Sequence, residues 1–120
     1  MKILDFGSQF AGGIDLYDSV NLRAMPIAKF AADVSVHCLY LDAGGVIGNH
    51  PTTNTQLFLV VDGAGWVRGE SGAMQPIATG QAALWDAGEW HESRADQGMI
   101  AIVIEGKNIA LSKSVAAMQE

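Results

Sequence analysis

The chain has 120 residues, a length that fits one domain large enough to bury a hydrophobic core. Hydrophobic residues make up 49% of the chain and charged residues 17%, which is the composition of a globular protein and not of a disordered one. The formal net charge is −6 and the chain has only 7 Lys and Arg residues, which argues against partners such as nucleic acids and anionic membranes.

The first residues, MKILDFGSQ, contain no apolar run of signal-peptide length, and no stretch reaches the roughly 18 apolar residues of a membrane span. We therefore expect a cytoplasmic protein without membrane contact. Cys38 is the only cysteine, so no intramolecular disulfide can form. Because it lies in the apolar run VSVHCLYL, we interpret Cys38 as a small buried hydrophobic residue.

The first third of the chain has weak patterns, with short strands predicted at KILDF and IDLY around a glycine-rich loop. Residues 33–42, DVSVHCLYLD, are rich in β-branched and aromatic residues and predict a strand. Both faces of this strand are largely apolar, so we expect other elements to cover it on both sides.

Glycine-rich residues 43–54 predict turns, and Pro51 marks the start or the edge of a strand. TQLFLVV follows as a buried strand, DGAG at residues 62–65 predicts a hairpin turn, and WVRGE returns as the next strand. ESGA predicts another turn, and further short strands are predicted at MQPIAT, AALWDA, EWHES and MIAIVIEG. This spacing is typical of an all-β sandwich or barrel.

The pattern changes after Gly106, where apolar residues fall closer to helical than to alternating spacing. We therefore expect a short C-terminal helix that includes Ile109, Leu111, Val115, Ala116 and Met118. No linker, repeat or low-complexity tract divides the chain, so residues 1–120 are predicted to form one domain.

Two glycine–histidine stretches, at residues 44–63 and 80–95, hold two of the 3 histidines. Their spacing matches the two motifs of the cupin superfamily, and the chain therefore resembles a small single-domain cupin. The motif positions are held by Gly44, His50, Thr52, Gln56 and Gly63 in the first stretch, and by Gly80, Asp86, Gly88, His91 and Ala95 in the second.

The resemblance implies a jelly-roll β-barrel of the cupin type. Of the four positions that usually bind metal in this family, two keep their histidines, His50 and His91. Thr52 stands in place of another histidine and Gln56 in place of a glutamate. The resemblance therefore supports the fold better than it supports any one activity.

Strand alternation starting at His50 places Thr52, Gln56 and Phe58 on the same face. If His91 comes from a neighbouring strand, two imidazoles and an amide oxygen meet in one pocket. Imidazole suits Zn, Ni, Fe or Cu ions, but a neutral amide adds no charge. We therefore expect weak binding of a divalent metal by His50, Gln56 and His91.

Around this metal site we expect a small-molecule pocket that uses Thr52, Gln56, Phe58, Trp85 and Trp90. Thr52 is interpreted as a pocket hydroxyl that bonds water or substrate. Trp85 and Trp90, like Trp66, are either pocket walls or core anchors. Gln56 is either a ligand or a buried amide that the backbone satisfies.

Three other residues have open roles. His37 can supply the imidazole that Thr52 lacks, or it can be a core or interface histidine. Asp86 and Glu92 either lie in a solvated loop, orient the imidazole of His91, or act as a general base. Their positions in the chain do not decide between these roles.

Two functions follow from these residues. The first is a small metal-dependent enzyme, such as an isomerase or dioxygenase of the cupin type, acting on a small polar metabolite. The alternative is a non-catalytic small-molecule binding module with a degenerate, metal-free cupin site. The resemblance also implies a homodimer, for which the apolar N-terminal third is suited.

Overall fold

The computed structural model describes residues 1–117. Within them the chain forms twelve strands, two short 3₁₀ turns at Ser8–Phe10 and Leu16–Asp18, and one helix. The strands are β1 (Lys2–Asp5), β2 (Gly12–Ile14), β3 (Leu22–Ala24), β4 (Ala28–Phe30), β5 (Val34–Leu41), β6 (Gly45–Pro51), β7 (Thr55–Arg68), β8 (Gln75–Ala78), β9 (Gln81–Trp85), β10 (Trp90–Ala95), β11 (Met99–Gly106) and β12 (Ile109–Leu111), and the helix is α1 (Lys113–Ala117).

The strands form two antiparallel layers that share β7. The first half of β7 pairs with β9 and β11, which gives one sheet in the order β1-β9-β7-β11-β5. The second half pairs with β8 and β10, which gives a second sheet in the order β8-β7-β10-β6. The prediction of an all-β jelly-roll barrel is therefore confirmed.

The change of sheet within β7 depends on a bulge where the sequence predicts a hairpin. The register between β7 and β11 pairs Val60 with Ala101 but Asp62 with Ile100, so one extra residue is inserted in β7. Gly63 has a φ of +87° just after this insertion. A bulge bends a strand and increases its twist, so the glycines bend one long strand and do not reverse it. The prediction of a DGAG hairpin is wrong.

Alternation along β7 divides the core into two clusters. Leu57 and Leu59 face outward from the barrel and pack with Leu4 and Leu84 beneath Val115 of α1. The side chains of alternate residues, from Phe58 onward, point between the two sheets. The expected C-terminal helix is present only as the five-residue α1. Ile109 and Leu111, which were expected in the helix, lie instead in strand β12, which pairs with β4, and Met118 lies outside the described residues. No helix in residues 1–117 has the length and hydropathy needed to cross a membrane.

The prediction that both faces of β5 are covered is wrong. β5 pairs only with β11 and forms an edge of its sheet. Its outer face carries Val34, Val36, Cys38 and Tyr40, which are exposed, and Tyr40 keeps 71% of its surface accessible. An apolar pattern in the sequence indicates that a strand face is suited to burial. It does not show whether other residues of the same chain cover that face. The interpretation of Cys38 as buried fails for this reason.

The N-terminal arm also differs from the prediction. The IDLY segment forms a 3₁₀ turn at Leu16–Asp18 and not a strand, because Tyr17 and Asp18 have φ near +58°. The nearby strands β2 and β3 pair only with each other. They form a small hairpin beside the barrel.

We predict that Gly63→Ala destabilises the fold by about 2 kcal/mol, because a side chain is strained at positive φ. The new Cβ would also meet the carbonyl oxygen of Gly98. Urea unfolding followed by tryptophan fluorescence measures the loss. Gly48→Ala is the matched control, because nothing lies within 4 Å of its Cβ position. Equal unfolding midpoints for the two variants would contradict the role given to the bulge.

Candidate functional site

A cavity of about 170 Å³ lies between the two sheets, and four of the five strands that border it contribute side chains at alternate positions. β5, β7, β10 and β11 each supply two residues spaced two apart, and β6 supplies two more. The lining residues are His37, Leu39, Ile47, His50, Gln56, Phe58, His91, Ser93, Val103 and Glu105. Polar groups and an apolar wall therefore meet in one partly open cavity, which is how small-molecule sites are usually built.

A larger depression of about 840 Å³ runs along the β2–β3 hairpin, between Gly13 and Arg23. It is an open surface feature, and neither glycine–histidine stretch contributes to it. The smaller cavity is therefore the candidate site.

The second sheet brings His50 and His91 together. The two residues are direct cross-strand partners in the β6–β10 ladder, and their ring centroids lie 4.4 Å apart with the planes tilted by 54°. His91 is buried, with 2% of its surface exposed, whereas His50 is exposed. The two imidazoles therefore come from neighbouring strands, as expected.

Both imidazoles are oriented by backbone carbonyls. Nδ1 of His50 lies 2.6 Å from the carbonyl oxygen of Gly48, and Nδ1 of His91 lies 3.3 Å from that of Glu89. A carbonyl can only accept a hydrogen bond, so each neutral ring carries its proton on Nδ1. Nε2 then keeps its lone pair, and it has no hydrogen-bond partner within residues 1–117. An imidazole in this state is ready to accept a hydrogen bond or to bind a metal.

Aromatic side chains support the imidazole ring of His91. The Trp85 indole stacks on His91 with centroids 4.3 Å apart, and Phe58 meets Trp85 edge-on at 5.7 Å. Trp85 is fully buried and does not line the cavity, so it is a core residue that supports the site. Its indole Nε1 is the one buried side-chain polar atom without a partner in the described chain.

This environment favours the neutral form of His91. Burial is the main cause that lowers the pKa of His91 below its usual value, and the neighbouring His50 lowers it further. The hydrogen bond to the Glu89 carbonyl and the charges of Glu105 and Glu89 act in the opposite direction. Burial wins, so the Nε2 lone pair of His91 stays available at lower pH than that of an ordinary histidine.

Thr52 has a structural position. Its hydroxyl donates a 2.7 Å hydrogen bond to the carbonyl of Asp86, and its backbone N–H donates to the carbonyl of Glu89 at 3.0 Å. The N–H of Gly88 donates in turn to the Thr52 carbonyl at 3.1 Å. Thr52 therefore ties the segment between β6 and β7 to the turn between β9 and β10, which joins the two motif stretches.

The structure does not place Thr52 in the cavity as the sequence analysis expects. β6 ends at Pro51 and β7 begins at Thr55, so the alternation that starts at His50 is broken between them. Gln56 and Phe58 do line the cavity, because they belong to β7. Thr52 is turned instead toward the neighbouring turn, and the role of a pocket hydroxyl is not supported by its position.

Trp90 also lies outside the cavity lining. Alternation along β10 turns His91 inward, so Trp90 points outward and keeps 44% of its surface exposed. Trp66 is similarly exposed, at 41%. The alternatives of pocket wall and core anchor therefore both fail for these two tryptophans.

Glu92 and Asp86 do not orient His91; the backbone carbonyl of Glu89 does so. The Glu92 carboxylate accepts hydrogen bonds from Arg68 at 2.8 Å and from Arg94 at 2.9 Å. The hydrogen bonds from Arg68 and then from Arg94 hold the pKa of Glu92 below its usual value. The paired carboxylate is thus a link between strands and not a base at the site.

The turn that supplies this carbonyl is held by the Glu89 side chain. Its carboxylate accepts hydrogen bonds from the N-terminal ammonium of Met1 at 2.9 Å and from the N–H of Asp86 at 3.0 Å. Burial alone would raise the pKa of Glu89, but these hydrogen bonds outweigh it and lower the pKa. A charged Glu89 therefore stabilises the turn on which the orientation of His91 depends.

The first sheet contributes a polar pair that the motif comparison did not reveal. Glu105 on β11 is the direct cross-strand partner of Gln56 on β7, and both line the cavity. The sequence analysis treated MIAIVIEG only as an apolar strand, but its alternation puts Glu105 on the same face as Val103. His37 lines the same cavity from β5.

The donor set fits a divalent metal only in part. His50 and His91 offer two Nε2 atoms of the kind that Zn, Ni, Fe and Cu ions bind. Gln56 lines the same cavity, as a metal ligand would. Across residues 1–117, however, no three His, Cys, Asp or Glu side chains lie close enough together to hold an ion as they stand. The residues therefore fit a site with two imidazole ligands.

We predict that the free energy of unfolding falls as the pH is lowered from about 7 to 5.5. The unfolded chain takes up a proton at His91 near the usual pKa of 6.5, whereas the folded protein does so only at lower pH. Glu89 and Glu92 do not obscure this window, because their usual pKa is 4.5 and folding lowers it.

Urea unfolding at several pH values checks this prediction, with His91→Gln as the comparison. The decrease should be smaller in His91→Gln, because the variant lacks the titrating group. A free energy of unfolding that stays constant or rises on acidification in this range would contradict the buried, neutral state of His91.

Comparison with known proteins gives matches among solved structures only; no family model and no curated protein matches the chain. An RmlC-like cupin from Shewanella frigidimarina aligns with a TM-score of 0.57 and 19% identity over 60% of this chain and 64% of that protein. A predicted oxalate decarboxylase from Thermotoga maritima aligns with a TM-score of 0.54 and 20% identity over 64% of this chain and 65% of that protein.

A cupin superfamily protein from Desulfitobacterium hafniense is matched over more of its length, 92%, and over 81% of this chain, with a TM-score of 0.58 and 11% identity. The first two matches, in contrast, span slightly less than two thirds of those proteins. At these identities the likeness shows the fold alone. The chain has the cupin fold, as the two glycine–histidine stretches predicted.

Proposed function

We propose that the protein binds a small polar metabolite in the cavity between its sheets, where His50 and His91 hold a divalent metal ion weakly and Gln56 lines the same space. One observation carries the proposal: two neighbouring imidazoles, each fixed through Nδ1 by a backbone carbonyl, lie in the wall of a partly open cavity. Histidines that bind metal ions usually donate the other ring N–H to an oxygen acceptor, which orients the imidazole.

The size of the cavity limits the ligand. A volume of about 170 Å³ corresponds to five or six water molecules at roughly 30 Å³ each. It is below the roughly 300 Å³ at which pockets for drug-sized ligands begin. The ligand is therefore a compact molecule that contacts the apolar wall at Leu39 and Val103 and the polar groups at the imidazole end.

A bound metal ion would polarise an oxygen atom of such a ligand. His50 and His91 would hold the ion, while Phe58 and the apolar wall would exclude water from one side of the ligand. Isomerase or dioxygenase chemistry is compatible with this arrangement. The similarity to a predicted oxalate decarboxylase does not choose among reactions, because one fold supports many functions.

A non-catalytic binding module is the second candidate. It is favoured because, within residues 1–117, no third His, Cys, Asp or Glu side chain lies close enough to the two imidazoles to complete a metal site as the side chains stand. In this case Gln56, Ser93 and the imidazoles would bind the ligand directly by hydrogen bonds, without an ion.

Metal titration of tag-free protein separates the two candidates. We predict that the wild-type protein binds Ni²⁺ or Zn²⁺ and that His50→Ala weakens the binding by at least about tenfold, because half of the imidazole pair is lost. Isothermal titration calorimetry and elemental analysis measure the binding. His37→Ala is the matched control, since His37 lines the same cavity outside the pair; we expect a change of less than about threefold. Equal metal content in wild type and His50→Ala would favour the binding module.

We further propose that the protein is a homodimer that pairs through the outer face of β5. The exposed Val36 and Tyr40 lie on an edge strand, and an edge strand with apolar side chains is a common site of association. A stable interface of this kind buries roughly 1,200 Å² or more. The sequence of β5 is that of a covered strand, and a second copy supplies the cover that the chain itself lacks.

Light scattering tests this assembly. We predict a mass of twice 12.7 kDa for the wild type and a shift toward 12.7 kDa for Val36→Glu, because the charge would be buried at the interface. Val46→Glu is the control, since Val46 is 54% exposed on a strand of the other sheet. A wild-type mass of 12.7 kDa at working concentration would overturn the proposal.

A further inference from the structure

We propose that Glu105 supplies the charged ligand of this site, in place of the carboxylate that the family motif would put at position 56. The inference rests on the proposed function, because it names the third ligand of the metal that His50 and His91 hold. It goes beyond that function by assigning the third ligand position to Glu105 on β11.

The ladder between β7 and β11 gives the first argument. Gln56 and Glu105 are direct cross-strand partners, so their Cβ atoms are about 5 Å apart on the same face of the sheet. Both side chains line the cavity. The family motif has a carboxylate where this chain has Gln56. The carboxylate of Glu105 lies one strand away and lines the same cavity.

The charge balance of the cavity gives the second argument. Glu105 is the only Asp or Glu among the lining residues, and no Lys or Arg lines the cavity. Within the described part of the chain, Glu105 forms no ion pair. The Glu105 carboxylate is therefore available to a bound cation.

The hydrogen bonds of the cavity agree with a cation. Oε1 of Glu105 accepts a 3.2 Å hydrogen bond from the backbone N–H of Asn54, which anchors the carboxylate and leaves its other oxygen without a partner in residues 1–117. The free oxygen of Glu105 and the Nε2 lone pairs of His50 and His91 are all acceptors. Three electron-pair donors of this kind, from two facing sheets, favour the binding of a cation over that of an anion.

The three groups are not yet within mutual reach of one ion. The Glu105 side chain has three rotatable bonds and is only partly buried, so a rotamer change can bring its carboxylate toward the imidazole pair. Gln56 could make a similar movement but would bring no charge. Metal affinity in such sites depends on the number of charged ligands, so Glu105 should control the affinity.

Co²⁺ titration of five proteins tests the inference, with affinity from calorimetry and the ligand set from the visible absorption spectrum. They are the wild type, Glu105→Gln, Gln56→Ala, a variant that exchanges residues 56 and 105, and His50→Ala. We expect Glu105→Gln to weaken Co²⁺ binding by at least about tenfold and to change the spectrum, and Gln56→Ala to change the affinity less than about threefold. Glu105→Gln keeps the side-chain shape and an oxygen for the Asn54 N–H, so the fold should be retained. Thermal unfolding without metal verifies this.

The fourth protein exchanges the two residues, as Gln56→Glu with Glu105→Gln. It keeps the net charge and moves the carboxylate to the motif position, so we expect it to regain Co²⁺ binding relative to Glu105→Gln alone. If Glu105→Gln binds Co²⁺ as tightly as the wild type while His50→Ala does not, the inference on Glu105 is wrong and the proposed metal function stands. If the wild type binds no Co²⁺, both are wrong.

Discussion

The participation of β7 in both sheets is the constraint on which the rest of the structure depends. The strand pairs with β9 and β11 over its first half and with β8 and β10 over its second half. The bulge before Gly63 makes this possible by bending the strand without ending it. The two sheets are thereby held face to face, and a cavity lined from both sides results.

This arrangement positions two polar cross-strand pairs around one space. Gln56 and Glu105 come from the first sheet, and His50 and His91 come from the second. Each pair is fixed by ladder register, so the distances within a pair do not depend on flexible loops. The segment around Thr52 then ties the loop after β6 to the turn before β10, and this stabilises the imidazole pair from outside.

Much of the fold could be predicted from the sequence, because β-branched segments and glycine spacing are local signals. The histidine pair could also be anticipated, because His50 and His91 fall at motif positions in the two stretches that resemble the cupin motifs. The DGAG segment shows the limit of such signals, because positive φ at Gly63 is compatible with a hairpin and with a bulge. Only the pairing of β11 with β7 on both sides of the inserted residue decides between them. The exposure of β5 likewise depends on the whole assembly and not on its own residues.

The role of Glu105 could not be predicted from motif spacing, because it depends on the register between β7 and β11, about 50 residues apart along the chain. Thr52 is the opposite case. It occupies a motif position, but the break between β6 and β7 directs its side chain away from the cavity. In both cases the residue type is evident in the sequence, whereas the direction of the side chain depends on how the strands pair in the fold.

The central claim is that both imidazoles are fixed through Nδ1 and offer Nε2 to the cavity. Long-range ¹H–¹⁵N NMR of the metal-free protein, at a pH where both rings are neutral, identifies the protonated nitrogen of each histidine. The structure predicts a protonated Nδ1 and an unprotonated Nε2 for His50 and for His91. A protonated Nε2 in either neutral ring would contradict the claim, because that nitrogen could not bind a metal ion or accept a hydrogen bond from a ligand.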